Sequence, residues 1–146
     1  MAPPSTVATW ERLVRFHRLA TREMDENLRA RFGHSLDDYD VLHQISDHGA
    51  PIRMGELADR LLVANSSCNR IVGRLVEGGL VHRTHGERDR REVLVDLTPE
   101  GQRLRRRMAA VHTRDIDRLL GSRLSSSERT RLDNAVRHLL PPETTD

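Results

Sequence analysis

Arginine and small polar side chains gather between Asn65 and Arg91, and this stretch is the part of the sequence best suited to contact a nucleic acid. The polar positions of its first half are Asn65, Ser66, Ser67, Asn69, Arg70 and Arg74. An arginine can bind the O6 and N7 atoms of guanine with two hydrogen bonds, and an asparagine can pair similarly with adenine. We predict that the N-terminal residues of this set reach base edges and that Arg74 contacts phosphate. A solvated helix face is the alternative interpretation.

Two short helices that meet at a turn are predicted to carry these side chains. Their apolar faces, at helical spacing, comprise Leu57, Ala58 and Leu61 in the first helix and Ile71, Val72, Leu75 and Val76 in the second. Asn65 and Ser66 are suitable N-cap residues for the second helix. Gly78-Gly79 should end it, because glycine tolerates the left-handed conformation found at helix ends.

A charged hairpin is predicted to follow the second helix. Leu80-Val81 begins one strand, and the alternating residues from Val93 to Leu97 predict another. The loop between them contains Arg88, Asp89, Arg90 and Arg91. These arginines are predicted to reach phosphate or the minor groove, although a charged turn that only keeps the hairpin soluble would look the same. Two helices followed by such a hairpin are the layout of a winged DNA reader, with one helix in the major groove.

Helices are also predicted on both sides of this reader. One long helix covers about residues 6–32, and Ser35 begins a second one. After the hairpin, Thr98-Pro99 starts a helix that runs to about residue 120, and Ser125 begins a last helix. The apolar series of these four helices are Trp10, Leu13, Ala20, Met24 and Leu28; Tyr39, Leu42 and Ile45; Leu104, Met108, Val111, Ile116 and Leu119; and Leu132, Ala135, Val136 and Leu139.

The predicted fold class is therefore mainly α with a small two- or three-stranded β wing. It is a winged helix-turn-helix with flanking N- and C-terminal dimerisation helices, which we expect to form a single domain over residues 1–146. The reader lobe would cover about residues 36–98, and the dimerisation helices about residues 6–32 and 99–140. The terminal helices carry more apolar surface than the small lobe can cover, so we expect a homodimer. A two-fold dimer reads a pseudopalindromic operator in double-stranded DNA.

Composition and charge agree with this fold. Apolar residues make up 36% and charged residues 32% of the chain, and no apolar run approaches the roughly 20 residues that span a bilayer. The first residues lack a signal-peptide pattern, so we expect a cytoplasmic protein with no membrane partner. Residues 53–91 carry eight arginines against five carboxylates, whereas residues 1–52 carry six against eight. The basic excess thus falls on the predicted reader, where phosphate contacts would need it.

Three short motifs connect this region to a known family. They are the sequence GRLVEGGLVHR at residues 73–83, Asp89-x-Arg91 in the hairpin, and Leu97-Thr98-x-x-Gly101 after it. With them the chain resembles the MarR family of bacterial transcription regulators over nearly its whole length. The resemblance implies that the carboxylate of Asp89 orients the guanidinium of Arg91 for the minor groove. It also implies a ligand-responsive regulator, most often a repressor, whose terminal helices interlock in a two-fold dimer.

The resemblance further implies a small effector, often a phenolic or aromatic acid, bound near the junction of dimer and reader. The candidate effector-binding residues are Trp10, Arg12, His17, Tyr39 and His43. We expect His112 to lie near the same junction. Each histidine has an ordinary core or surface role as its alternative. A regulator or architectural protein without an effector also remains open.

Other kinds of chemistry find little support in the sequence. The single cysteine, Cys68, rules out an intrachain disulfide, and its place in the second reader helix differs from that of redox-sensing family members, which use a cysteine near the start of the chain. A metal- or redox-responsive regulator is kept as an alternative function. No motif of a hydrolase, a nucleotide-binding enzyme or a zinc protease occurs, so we expect no enzyme activity, no cofactor and no metal site.

Overall fold

The computed structural model describes residues 3–142. Its elements in chain order are α1 (Thr6–Phe32), α2 (Leu36–His48), β1 (Ile52–Arg53), α3 (Met54–Leu61), α4 (Asn65–Glu77), β2 (Val81–His85), β3 (Val93–Leu97), α5 (Pro99–Ile116), a π-helical turn (Asp117–Gly121) and α6 (Ser126–Leu139). The chain divides into two compact units, one through His112 and one from Thr113 onward. The predicted mainly helical fold with a two- or three-stranded wing is confirmed, and the sheet has three strands. Within the described residues, no helix is both long and apolar enough to cross a membrane.

Most helix ends follow the local signals in the sequence. Ser35 caps α2 through its side-chain oxygen, which accepts a hydrogen bond from the Asp38 amide at 3.0 Å, and the Asp38 carboxylate accepts one in return from the Ser35 amide. Ser125 and Glu128 form the same reciprocal box at the start of α6. The Thr98 hydroxyl accepts a hydrogen bond from the Gly101 amide, and α5 begins at the proline as predicted.

The start of α4 corrects one prediction. Asn65 and Ser66 were expected to cap this helix, but the N-cap is Ala64, which has an extended backbone conformation and no side-chain hydrogen bond. Asn65 is instead the first helical residue. Both side chains therefore lie in the first turn and are exposed. The consequence is that neither is used up in capping, which leaves them available at the end of the helix where the dipole is positive.

The sheet joins the two reader helices to the wing. Its strand order is β1-β3-β2, and both pairs are antiparallel, with Val81 opposite Leu97 and His85 opposite Val93. The short strand β1 adds Ile52 opposite Val95, and both of these side chains are fully buried. The hydrophobic core includes residues of α2, α3, α4 and all three strands, together with Leu28 of α1 and Met108 and Val111 of α5.

The apolar series of α1 is buried only in its second half. Ala20, Met24 and Leu28 are buried as predicted. Trp10 and Leu13 were expected to share that face, but they are 66% and 40% exposed. In α6 most of the predicted apolar face is likewise exposed, with Leu139 at 74%, and Leu132 is partly buried. Helical spacing thus identified apolar faces correctly but did not say which of them the same chain would cover.

Candidate nucleic-acid interface

Helix α4 divides sharply into an inner and an outer face. Its buried residues are Cys68, Ile71, Val72 and Leu75. The outer face carries the residues that the sequence predicted for DNA contact: Asn65, Ser66, Asn69, Arg70 and Arg74 are exposed, and Ser67 is partly buried. Because side chains three or four positions apart share a helix face, one helix can pack on the core and present a continuous polar row to a ligand.

Two cross-element contacts hold α4 in place. The guanidinium Nη2 of Arg74 donates to Oδ1 of Asp38 on α2 at 2.7 Å. On the wing side, Nη2 of Arg83 donates to the backbone carbonyl oxygen of Asn69 at 3.3 Å. Arg83 and Asp38 were not among the predicted site residues. The sequence signal for Arg83 was its place as the last residue of the motif GRLVEGGLVHR, which begins within α4 and ends on β2.

The wing tip is a tight turn closed by main-chain contacts. The Gly86 amide donates to the Glu92 carbonyl oxygen at 2.9 Å, and the Glu92 amide donates to that of Asp89 at 3.1 Å. A Cβ atom added to Gly86 would lie 2.8 Å from the Asp89 oxygen, so the turn requires glycine there. The Asp89 carboxylate accepts a hydrogen bond from the backbone amide of Arg91 at 2.9 Å. The two residues of the motif are therefore linked through the Asp89 carboxylate and the Arg91 backbone amide. That Asp89 orients the Arg91 guanidinium stays a prediction.

The electrostatics of the wing favour an anionic partner. Arg88, Arg90 and Arg91 are all exposed at the tip. Glu87 and Asp89 are exposed among them, so the tip carries three cations against two carboxylates, and the next acidic residue, Glu92, forms an ion pair with Arg53 at the base of the wing. The tip therefore presents a net positive charge to solvent, as a phosphate backbone would require.

The motif Leu97-Thr98-x-x-Gly101 fastens α5 to the end of α4. The Thr98 amide donates to the Leu80 carbonyl oxygen at 3.1 Å, and the Thr98 hydroxyl donates to the Gly79 carbonyl oxygen at 2.7 Å. Gly101 packs directly on the Leu80 backbone, where a Cβ atom would lie 2.9 Å from the carbonyl carbon. The position of α4 is thereby tied to the start of α5.

The predicted effector-binding residues fall into two groups. Trp10, Arg12 and His17 are exposed on the first half of α1, where Trp10 and His17 line a shallow, open groove of about 280 Å³. Tyr39 is buried and His43 is partly buried on α2.

Tyr39 lies between two histidines. Its ring stacks on that of His43, with centroids 5.7 Å apart and planes 16° apart, and its other contact is with His112 of α5 at 4.7 Å. Burial raises the pKa of the Tyr39 hydroxyl, and the charge of Arg105 opposes this rise. Within the described part of the chain, Nδ1 of His43 and Nε of Arg105 are buried and have no hydrogen-bond partner. Such unsatisfied polar atoms are uncommon in protein interiors and need an explanation. The sequence did not single out Arg105.

The chemistry of Cys68 disfavours a redox site. Its thiol is completely buried in the core beneath α4. Burial raises the pKa of this thiol, although the nearby Arg83 opposes the rise. A reactive cysteine needs an accessible thiolate, and this one has neither access nor a lowered pKa. Residues 3–142 also contain no group of three or more histidine, cysteine or acidic side chains arranged to hold a metal ion.

Helices α3 and α4, the three-stranded sheet and the arginine-tipped hairpin define a winged helix-turn-helix protein. A family model described as MarR family matches residues 32–92. The transcriptional regulator PecS of Dickeya dadantii is 30% identical over 122 residues, which cover 82% of this chain and 72% of PecS.

Solved structures agree with this likeness. AbsC, a MarR family transcriptional regulator from Streptomyces coelicolor, matches with a TM-score of 0.83 at 26% identity and covers 95% of both chains. A cysteine-to-serine variant of MarR from E. coli, complexed with operator DNA, matches with a TM-score of 0.81 at 26% identity, over 92% of this chain and 96% of that one. This chain belongs to the MarR family. It is a DNA-binding transcriptional regulator and not an enzyme.

Proposed function

We infer that the protein binds a pseudopalindromic operator as a homodimer and represses transcription until a small aromatic or phenolic effector releases it. Helix α4 serves as the recognition helix in the major groove, and the wing tip reaches the adjacent minor groove. The observation that carries this proposal is the outward polar row of α4 together with three exposed wing arginines. The E. coli relative, whose structure is a complex with operator DNA, supports binding to an operator.

Exposed apolar side chains support the homodimer. In the unit through His112, five of them form a row on α1, namely Val7, Trp10, Leu13, Phe16 and Leu19. In the unit from Thr113 onward they are Ile116, Val136, Leu139 and Leu140. Apolar rows of this extent are costly in water and mark interaction surfaces. A second copy of the chain would cover both rows and present two α4 helices about one DNA turn apart.

A binding titration tests the DNA mode. The protein is titrated against the duplex upstream of its own coding sequence and against a random duplex, at two salt concentrations. Tighter binding to the upstream duplex, with affinity falling steeply as salt rises, is expected because arginines displace counterions from phosphate. Arg91→Ala should weaken binding, whereas Arg103→Ala should not, since Arg103 is an equally charged exposed residue paired with Glu100 on α5. Equal affinity for both duplexes would contradict a sequence-specific reader.

The buried cluster around Tyr39 supports an anionic aromatic effector. Stacked rings offer a surface for an aromatic ligand, and Arg105 with its unused Nε–H offers a donor for a carboxylate or phenolate. Trp10, Arg12 and His17 would contribute from α1 once the dimer forms. A ligand that fits only one arrangement of α2 and α5 shifts the equilibrium toward that arrangement, and so changes the DNA affinity.

Salicylate is a suitable first probe for this site because it combines a carboxylate and a phenol. It should raise the melting temperature of the wild-type protein and weaken the operator complex. Arg105→Met should abolish both effects, and Arg103→Met is the matched control on the same helix. Unchanged responses in the Arg105 variant would exclude this cluster as the effector site.

A further inference from the structure

An ion pair between α2 and α4 joins two elements that lie far apart in the sequence. Arg74 and Asp38 meet at 2.7 Å, and the Asp38 side chain is only 9% exposed. The second carboxylate oxygen of Asp38 accepts a hydrogen bond from the Ser35 amide at 3.0 Å and lies 3.3 Å from Nδ1 of His34. Both oxygens are therefore held, and the guanidinium of Arg74 meets a fixed partner.

This arrangement does more than cap a helix. The capping box uses one oxygen of Asp38 and would be complete without Arg74. Burial alone would raise the pKa of Asp38, but the hydrogen bonds from Arg74 and Ser35 hold that pKa below its usual range. Arg74 is 45% exposed and has room to extend into solvent, yet it points back to α2. An ordered arginine on the outer face of α4 is thus directed inward.

The contact between Arg74 and Asp38 acts together with the hydrogen bond from Arg83 of the wing. Arg83 holds the middle of α4 through the Asn69 carbonyl, and Arg74 holds its last turn. With both contacts, α4 is restrained against sliding and against rotation about its own axis. Rotation matters because it would turn Asn69 and Arg70 away from the base edges that they are proposed to read.

We propose that Asp38 is a positioning residue for DNA reading, which holds Arg74 and thereby sets the orientation of α4 for its operator. This rests on the proposed function, in which α4 is the recognition helix. Arg74 then acts through Asp38 rather than by contacting phosphate. It follows that Arg74 contributes to discrimination between operator and other DNA and contributes little to the salt dependence of binding.

The test compares Asp38→Asn, Arg74→Met and the double variant with wild type, and uses Arg103→Met as a control for loss of an exposed ion pair. Dissociation constants are measured for the operator and for a random duplex at two salt concentrations. The single variants should lose about tenfold in operator affinity, within the range of coupled contacts, and about twofold or less on random DNA. Their salt slopes should match that of wild type. The double variant should bind the operator no more weakly than the weaker-binding single variant, because both changes remove the same contact.

Three results would overturn the proposal. Unchanged operator affinity in both single variants would show that α4 needs no such support. A salt slope reduced by about one in Arg74→Met, with equal losses on both duplexes, would make Arg74 a phosphate contact instead. Additive losses of operator affinity in the double variant would show that the two residues act independently. Should Asp38→Asn not fold, Arg74→Met decides the question, because it leaves the capping box intact. Failure of the wild type to prefer its operator would count against the proposed function and not against the ion pair.

Discussion

Replacing Gly101 by alanine tests how tightly α5 is seated on the end of α4. An added Cβ atom would lie 2.9 Å from the Leu80 carbonyl carbon and 3.3 Å from its Cα, and still closer to the carbonyl oxygen. The obstacle is backbone, so no flexible side chain can move aside. The helix cannot easily shift either, because Thr98 is hydrogen-bonded to Gly79 and Leu80 immediately before it.

The change in the free energy of unfolding has three contributions, two unfavourable and one favourable. Overpacking of this kind costs about 1–3 kcal/mol. Alanine is favoured over glycine in a helix by roughly 0.5–1 kcal/mol, which offsets part of the cost. A strained or broken hydrogen bond between Thr98 and Leu80 would add about 1 kcal/mol. We therefore expect Gly101→Ala to lower the free energy of unfolding by about 1–3.5 kcal/mol, which corresponds to ~2–14 °C in melting temperature.

Gly55→Ala is the matched control. Gly55 lies in the first turn of α3, and a Cβ atom there would meet nothing within 4 Å. The free energy of unfolding of this variant should rise by roughly 0.5–1 kcal/mol, because only the preference of a helix for alanine over glycine applies. Both variants are compared with wild type by urea unfolding and thermal melting at one protein concentration, since an oligomer's stability depends on concentration. If Gly101→Ala were as stable as Gly55→Ala, the close contact between α5 and Leu80 would be wrong.

Four further predictions follow from individual side chains. Arg91→Ala should weaken operator binding and lower the salt slope by about one without changing the melting temperature, and full operator affinity would remove the wing from the interface. Asp40→Asn should stabilise the fold at pH 8 by ~1–2 kcal/mol. Burial, with a smaller contribution from Asp37, raises the pKa of the Asp40 carboxyl to about 6, so wild type loses stability as the pH rises through that value. Urea unfolding should show the gain at pH 8 and not below about pH 4, and an equal gain at both pH values would contradict the cause. Leu62→Gly should raise the free energy of unfolding by about 1 kcal/mol, because Leu62 has a left-handed φ of 55° and is 92% exposed; a less stable variant would point to a contact that Leu62 makes. His17→Ala should reduce the response to salicylate and spare operator binding, and an unchanged titration would exclude His17 from the effector site.

Local signals in the sequence predicted the secondary structure well. Capping boxes at Ser35 and Ser125 and the Thr98-Pro99 start marked three helix ends, because these side chains satisfy backbone groups only a few residues away. The start of α4 was missed by one residue, since Ala64 supplies a suitable backbone conformation without a side-chain signal. Helix α5 was predicted to run to about residue 120, and a π-helical turn from Asp117 to Gly121 completes that path.

The contacts that position the interface could not be predicted in the same way. Arg74 was expected only as a DNA contact, and nothing in the sequence indicated Asp38 as its partner, although the structure pairs them. Either residue type is common on a helix surface, and 36 positions of sequence separate them. Their meeting depends on how α2 and α4 pack over the shared core, which no local pattern encodes.

The two halves of α1 show what an apolar period does and does not say. Met24 and Leu28 are buried, and Leu28 belongs to the reader core, whereas Trp10 and Leu13 continue the same apolar series and remain exposed. The helical period of apolar residues marks a face that is apolar. It does not indicate whether the atoms that cover this face belong to the same chain or to another. Where the same chain leaves such a face exposed, exposure to water costs free energy, and the second copy proposed above would remove that cost by covering it. A dimer-breaking Trp10→Glu change should therefore lower operator affinity without altering the reader, and sedimentation of this variant as a monomer that still binds operator as tightly as wild type would refute the link between dimerisation and reading.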